Sequence, residues 1–439
     1  MKYQHKLNRL IAVSGLFVIA MSWWGCKVEP ILDPNNPSIT SITQNAQLSE
    51  LQNLAVGCEA GMRIYLGTYL DDVSVIGREY YRFSSSDPRL TGDLLGKGGA
   101  TLDNNTFYIT NPFDGRYRVV KNTNILIQAL QNTKAAITDA QRKAGIAYAK
   151  TVQAHELLMN FNLLYANGIR VDVANPDKLG PFLSQKETLD AIQNLLNDAN
   201  TDLKGNPAVL PFHTTLYSDT ASNFSKFNRA LAARVAVYRQ DWGTAATALS
   251  ESFLDLNGSL TAGSYYLFST GGGDLLNPVF FPQNANGETR VTQPSFITDA
   301  IPGDPRLAKA PKRTATATQD GLNSNYDFFA YPTNITPIPI IRNEELVLLY
   351  AEVKVQQNLL PDALVAINRI RTAYNLPPYA GAVTHDALIT EILFQRRYSL
   401  FGEGHRWIDM RRYGLLGTLP IDRPGDDVWQ QFPIPATEN

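Results

Sequence analysis

Cysteine, tryptophan and histidine are scarce in this chain of 439 residues, which has two cysteines, five tryptophans and five histidines. The two cysteines, Cys26 and Cys58, cannot build the disulfide framework that holds many small secreted domains together. The histidines show no spacing of the kind that binds a metal ion. The sequence therefore predicts neither a disulfide scaffold nor a metal site.

An excess of charge of one sign is also lacking. Lysine and arginine together number 39, and aspartate and glutamate 41, which gives a formal net charge of −2. No basic run or stripe is present, so the pattern indicates no nucleic-acid partner. A glycine-rich phosphate loop, a nucleophile elbow and a paired CxxC motif are missing as well. These absences predict a protein that has no cofactor and is not an enzyme.

One apolar run, Leu10–Met21, stands near the N terminus behind three basic residues. It is too short to span a bilayer and is typical of a signal peptide, here residues 1–25. Gly25 and Cys26 stand where a bacterial lipoprotein cleavage site has them, although Trp23 replaces the usual leucine. We therefore expect lipid attachment at Cys26, which would hold the mature chain on a membrane. An ordinary secreted protein cut nearby is the alternative.

The remaining chain divides into a short tether and one domain. Residues 26–45 are polar and contain proline, which indicates a tether, and residues 46–439 form the domain. Helical spacing of apolar residues recurs in pairs of segments within about 111–166, 186–255, 342–374 and 384–413. Ala351 and Ala363 fall where tetratricopeptide repeats have small residues that let paired helices approach closely. The predicted fold is all-α dominated, with a tetratricopeptide-like helical-repeat scaffold.

Two long regions, residues 76–110 and 256–341, lack helical spacing. Glycine and proline divide them into turns and short strands, and both regions are rich in tyrosine and phenylalanine. The second is far longer than an ordinary loop, so we expect it to have structure or function of its own. Because binding residues gather in loops on a rigid scaffold, these loop-rich, partly β insertions are the predicted ligand face.

The residue types in these insertions suit a sugar ligand. A pyranose presents an apolar C–H face and a rim of hydroxyls, and tyrosine offers both a ring and a phenolic hydroxyl at little entropy cost. The predicted ligand-binding candidates are Arg78, Tyr80, Tyr81, Arg82, Tyr326, Phe328 and Tyr331. The alternative for each aromatic residue is that it covers the scaffold, since buried aromatics dominate cores.

Two further clusters are better explained by structural roles. Asp-Pro-Arg-Leu occurs at residues 87–90 and 304–307, and a capped turn whose arginine pairs with its neighbours accounts for both copies. An acid–base or metal group is conceivable at Glu391, Glu403, His405 and Asp409. Several arginines surround that group, and they would hold its carboxylates ionised instead of raising one pKa for catalysis. We therefore predict an ion-pair network there.

The segment from Arg396 to Arg412 has the most specific pattern. Paired arginines, Arg396-Arg397, stand at the end of a predicted helix, and residues 403–412 read EGHRWIDMRR. This segment resembles the C-terminal signature of SusD/RagB-type outer-membrane nutrient-binding lipoproteins. Residues 148–173 and 228–254 are similar to the middle of the same family.

The resemblance implies a surface-exposed lipoprotein of the cell outer membrane. Such a protein captures an oligosaccharide and delivers it to a partner, a SusC-like TonB-dependent barrel. After cleavage the remaining tryptophans are Trp242, Trp407 and Trp429, which disfavours a broad stacking platform and favours a shorter oligosaccharide or a peptide. The alternatives are a peptide-binding importer component and a helical-repeat scaffold that binds only protein.

Overall fold

The computed structural model of the chain describes residues 39–438. The chain divides into units of residues 1–42 and 43–439, and the packing described below lies within the second unit. The predicted signal peptide, Cys26 and the first part of the predicted tether lie outside the described residues. The end of that tether differs from the prediction, because helix α1 (Ile39–Asn45) occupies it. Within the described part of the chain, no helix combines the length and the apolar character needed to cross a bilayer.

Long helices with well-defined ends form the first half of the scaffold. They are α2 (Leu48–Arg63), α3 (Leu66–Ile76), α4 (Phe107–Asn132) and α5 (Asp139–Leu164). A capping box starts α5, in which the Thr138 side chain accepts from the Gln141 backbone and the Gln141 side chain accepts from the Thr138 N–H. Helix α4 packs against both α2 and α5. The predicted helix pair within residues 111–166 is therefore present.

Three helices occupy the second predicted segment. They are α6 (Gln185–Leu203), α7 (Ala221–Tyr238) and α8 (Trp242–Glu251). Ser184 and Glu187 form a capping box at the start of α6. Helix α5 packs against α6, α6 against α7, and α7 against α8, so the successive hairpins stack side by side.

Short strands and short helical segments lie within the two loop-rich regions, and one further pair of short strands lies between the long helices. The elements up to residue 342 are β1 (Tyr80–Ser84), β2 (Ile169–Arg170), β3 (Phe182–Leu183), β4 (Gly263–Tyr266), β5 (Glu288–Thr292), α9 (Ser295–Thr298), β6 (Lys312–Gln319), β7 (Leu322–Tyr326) and β8 (Ile338–Arg342). The strands pair antiparallel in twos, β1 with β5, β2 with β3, β4 with β8 and β6 with β7. The β1–β5 pair joins the first loop-rich region to the second.

The C-terminal helices have the predicted positions and pack tightly. They are α10 (Asn343–Gln356), α11 (Leu360–Ala373), α12 (His385–Ser399) and α13 (Arg406–Arg412). Ala351 and Ala363 both have zero exposed surface and belong to the apolar core that α10, α11 and α12 share. Arg234 of α7 donates to Glu345 of α10 over 2.6 Å, with both side chains buried. The predicted helix-dominated scaffold is confirmed.

Candidate functional site

Strand β1 carries three predicted ligand-binding residues, of which Tyr80 and Tyr81 lie in the interior. Tyr80 and Tyr81 are 0% and 1% exposed. The Tyr80 hydroxyl donates to Asp71 of α3 over 2.9 Å, and the Tyr81 hydroxyl donates to Asp422 near the C terminus. Neither ring has a free face for a sugar in this structure, so neither residue lines an open site. The strand is covered on both faces.

Phe328 and Tyr331 are buried in the same way. The Phe328 ring lies 4.5 Å from the Tyr80 ring, measured between centroids, and a Cβ atom added to Gly402 would lie 2.4 Å from it. The Tyr331 hydroxyl donates to the carbonyl oxygen of Gly402 over 3.2 Å. In this structure, these two predicted ligand-binding residues pack against the turn at Gly402 and support it.

Arg78 also has a structural role. It is 3% exposed, and its guanidinium donates to four backbone carbonyl groups, those of Val75, Ile76, Pro420 and Asp427. It thereby fastens the C-terminal segment to the end of α3. Like the two tyrosines, Arg78 therefore does not line an open site in this structure.

Arg82 and Tyr326 are the two predicted residues that remain partly exposed. Arg82 donates to Glu288 over 2.6 Å, and its guanidinium lies 4.9 Å from the centroid of the Phe281 ring. Tyr326 ends β7 opposite Lys312. Of these two, Arg82 stands beside the open groove described next.

A groove of about 710 Å³ opens where the two loop-rich regions meet. We call it the strand-end groove; its lining consists of Phe83, Ser84, Ser85, Pro88, Asn286, Gly287, Thr289, Thr316, Ala317, Thr318 and Gln319. The end of β1, the turn before β5 with the start of that strand, and the last residues of β6 form its walls. The Ser85 amide donates to the Gly287 carbonyl over 2.8 Å, and the Gln319 amide group donates to the Ser84 carbonyl over 2.7 Å. These hydrogen bonds fix the walls relative to one another.

Glu288 organises the rim of this groove. Its carboxylate accepts from the Ser84 hydroxyl over 2.7 Å, from the Ser86 hydroxyl over 3.0 Å and from Arg82 over 2.6 Å. Desolvation alone would raise the pKa of Glu288, but these hydrogen bonds outweigh it and lower the pKa to about 2. The rim carboxylate therefore stays ionised and holds Arg82 in place at neutral pH.

The open surface of the groove is polar and uncharged. Ser85, Asn286, Thr316 and Thr318 are exposed, and they present hydroxyl and amide groups. The Phe83 ring is 3% exposed and stacks on Tyr81, so the groove has no open aromatic plate. Such a surface can exchange hydrogen bonds with ligand hydroxyls.

The residues that line this groove are not among the aromatic and arginine candidates predicted from the sequence. A signal was available in the alternation Thr-Ala-Thr-Ala-Thr at residues 314–318, which predicts a strand with a row of threonines on one face. The Asn286-Gly287 dipeptide is likewise typical of a tight turn. The sequence does not predict the pairing of β1 with β5, which brings Gly287 next to Ser85.

The two Asp-Pro-Arg-Leu copies form capped turns, as predicted. Asp87 accepts from the Arg89 amide over 3.0 Å and from its guanidinium over 2.7 Å, and Asp304 accepts from the Arg306 amide over 2.9 Å and from its guanidinium over 2.7 Å. The copies differ in burial, because the Arg89 side chain is 45% exposed and the Arg306 side chain 0%.

The predicted ion-pair network around α13 is present. Each acidic residue of that cluster has an arginine partner: Asp409 with Arg396 at 2.6 Å, Glu403 with Arg342 at 2.8 Å and Glu391 with Arg371 at 2.6 Å. Desolvation would raise the pKa of Asp409, but the guanidinium groups of Arg396 and Arg412 lower it to about 2. Asp409 is therefore held as an ion and is poorly suited to act as a general acid.

Comparison with known proteins identifies a matching sequence family and solved structures of the same architecture. A sequence model of the SusD family matches residues 322–434, and no curated protein matches the chain significantly. Among solved structures, surface glycan-binding protein A from Bacteroides thetaiotaomicron superposes with a TM-score of 0.69 at 14% identity, over 89% of this chain and 96% of that one. A SusD superfamily protein from Bacteroides vulgatus gives 0.67 at 16% identity, over 89% and 96% of the two chains.

A third solved structure, a laminarin-binding SusD-like protein, gives a TM-score of 0.64 at 17% identity, over 90% of this chain and 97% of that one. Identities this low establish the fold alone, whereas the match at residues 322–434 is one of sequence and contains the Arg396–Arg412 signature. Residues 322–434 are thus similar in sequence to the SusD family, and the chain as a whole shares the fold of these solved structures.

Proposed function

We propose that this protein is a glycan-binding lipoprotein that takes up an oligosaccharide in the strand-end groove and delivers it to a TonB-dependent outer-membrane transporter. One observation carries the proposal: in a SusD-like fold, both loop-rich insertions converge on one open groove with exposed hydroxyl and amide groups. The names of two structurally similar proteins, one surface glycan-binding and one laminarin-binding, support a carbohydrate ligand.

The proposed cellular arrangement rests on the N-terminal sequence. Residues 1–25 would be removed as a signal peptide, Cys26 would carry the lipid, and a tether would lead to a single domain that begins near residue 46. A lipid-anchored position on the outer membrane suits a protein that hands its ligand to a barrel in the same membrane. The proposed function consists of ligand binding and release, without the making or breaking of a covalent bond.

The chemistry of the groove narrows the ligand class. Without an open aromatic plate, affinity would come from hydrogen bonds to several sugar hydroxyls, which favours a short neutral oligosaccharide over a long stacked helix of polysaccharide. In this arrangement Arg82 stabilises the rim of the groove through its hydrogen bond to Glu288. Tyr326 does not line the groove and is a candidate for a more distant contact with the ligand. The proposed contacts are the exposed side chains of Ser85, Asn286, Thr316 and Thr318.

Calorimetric titration of the chain with Cys26→Ser against neutral oligosaccharides and short peptides tests this proposal. Thr318→Trp fills the groove, and we expect it to weaken oligosaccharide binding by about tenfold or more. Ala315→Trp adds the same bulk at an exposed residue of the same strand outside the groove, and should leave binding unchanged.

Each alternative has a distinct result. Binding of peptides in place of sugars, with the same loss in Thr318→Trp, would establish the peptide-importer alternative. Oligosaccharide binding that survives Thr318→Trp would move the glycan site out of this groove. If neither oligosaccharides nor peptides bind, while the protein still binds a TonB-dependent barrel, the protein-only scaffold is favoured.

A further inference from the structure

A second groove lies on the helical side of the molecule, beside the start of α6. Its outer part has a volume of about 560 Å³, and an inner recess of about 50 Å³ lies next to it. The two spaces share the lining residues Gln185, Leu189, Tyr238 and Gln240. We call the two together the arginine groove, because Arg411 and Arg412 line the inner recess.

Arg411 is held rigidly at this recess. Its side chain lies against two rings, with the guanidinium carbon 4.0 Å from the Tyr165 centroid and 4.5 Å from the Trp407 centroid. Nη1 donates to the Gln430 carbonyl and Nη2 to the Asn162 carbonyl, each over 2.9 Å. The residue is 6% exposed, and its Nε has no hydrogen-bond partner among residues 39–438.

The charge of Arg411 is not balanced by a carboxylate of the described chain. The other cations that line the arginine groove are all paired: Arg412 with Glu352 at 2.8 Å, Arg239 with Asp190 at 2.7 Å, and Lys186 with Asp190 at 2.6 Å. Burial lowers the pKa of Arg411 to about 10, still far above neutral pH. A buried cation without a counterion is costly, and an anion that reached the recess would offset that cost.

The size and the walls of the recess fit a small anionic group attached to a polar body. Since about 10–15 Å³ suffices for one water molecule, a recess of about 50 Å³ admits a group of the size of a carboxylate. The amides of Gln185 and Gln240 stand at the shared wall, where hydroxyl groups on the same ligand would meet them.

We propose that the arginine groove is a second saccharide site, selective for acidic sugars, which places a uronate carboxylate in the recess at Arg411 and the adjoining sugar hydroxyls against Gln185 and Gln240. The choice of a sugar over another carboxylate rests on the proposed function. The site lies apart from the strand-end groove and shares no lining residue with it. A protein with both sites would bind neutral and acidic parts of one glycan.

The experiment measures binding of trigalacturonate, its methyl ester and acetate to the chain with Cys26→Ser. Gln185→Glu places a negative charge at the shared wall. Because residue 185 is the first residue of α6, a carboxylate there suits the helix dipole and preserves the fold. Asn194→Glu makes the same charge change at an exposed residue of the same helix outside the groove.

We expect trigalacturonate to bind at least about tenfold more tightly than its methyl ester, Gln185→Glu to remove that preference, and Asn194→Glu to preserve it. Equal binding of acid and ester, insensitivity to Gln185→Glu, or no binding at all would overturn the proposal and leave Arg411 a purely structural residue. Acetate binding as tightly as trigalacturonate would show that no sugar is recognised. Thr318→Trp should not affect trigalacturonate, so failure of this site and failure of the strand-end groove give different results.

Discussion

Arg396 donates from its Nε to the Oδ2 atom of Asp409 over 2.6 Å, and both side chains are almost completely buried. The bond joins α12 to α13 across the Gly402–Gly404 turn. Asp409 also accepts from Arg412 over 2.9 Å, so a single carboxylate bridges two arginines, the second of which also pairs with Glu352 at 2.8 Å. The signature segment is therefore held together by charge as much as by apolar packing.

Replacing this carboxylate should destabilise the domain strongly. Asp409→Asn leaves Arg396 buried without a counterion, and we expect the free energy of unfolding to fall by about 3–5 kcal/mol. Urea denaturation at pH 7 measures the change. Asp198→Asn, on the exposed face of α6, is the matched control and should change stability by less than about 0.5 kcal/mol. Equal effects of the two substitutions would contradict a structural role for the ion pair.

His405 should make the domain less stable in mild acid. Burial lowers the pKa of His405 to about 4, against the partial opposing effect of Glu345. An unfolded histidine takes up its proton near pH 6.5, whereas the folded one does not until near pH 4. The stabilising contribution is therefore complete above pH 6.5 and is lost as the pH falls toward 4. Urea unfolding at pH 7 and pH 5 should show a smaller loss of stability in His405→Gln than in the parent chain.

His213 provides a control of opposite sign. A hydrogen bond from this exposed histidine to Asp219 raises the pKa of His213. Its contribution is present below the unfolded pKa and is lost as the pH rises through the folded value. His213→Asn should therefore leave the acid-dependent loss of stability in place. If it abolished that loss, His405 would not be its source.

Gly402 should resist substitution more than an ordinary turn glycine. It has a φ of +76°, and a Cβ atom there would lie 2.4 Å from the Phe328 ring. Gly402→Ala should combine the backbone penalty of about 1 kcal/mol with a steric clash, for a total of about 2–4 kcal/mol. Gly414 has a φ of +66° and open space around it, so Gly414→Ala should show the backbone penalty alone. Thermal unfolding of both variants would separate the two costs.

The two Asp-Pro-Arg-Leu turns should respond unequally to the same change. Asp304→Asn removes the counterion of Arg306, whose side chain is fully buried. It should therefore lower the free energy of unfolding by about 3 kcal/mol or more. Asp87→Asn leaves an exposed Arg89 that water can solvate, so its effect should stay below about 1 kcal/mol. Similar losses in urea denaturation would show that the local turn, and not burial, governs both sites.

The helical scaffold could be predicted because the residues that determine it lie close to one another in the sequence. Apolar spacing placed α10 to α13 to within a few residues, and Ala351 and Ala363 revealed their close packing without any partner being known. The ion pairs around Asp409 followed from a density of arginines in one short segment. In each case the residues that decide the structure stand within one or two helices of each other.

The candidate ligand residues could not be predicted in this way. Whether Tyr80 and Tyr81 face solvent depends on what covers β1, and their covering partners are Asp71 on one side and Asp422, 341 residues away from Tyr81, on the other. The groove residues were missed because threonine and serine carry little local signal for binding.

The pairing of β1 with β5 also bears on how the chain reaches its active form. Ser84 and Glu288, which share a hydrogen bond, are 204 residues apart, so the groove cannot close until well over half of the chain has been made. Until then β1 is an apolar strand without its partner, and such edges invite pairing with other chains. The same strand that later supports the groove is thus a segment that needs protection from such pairing while the chain is being synthesised.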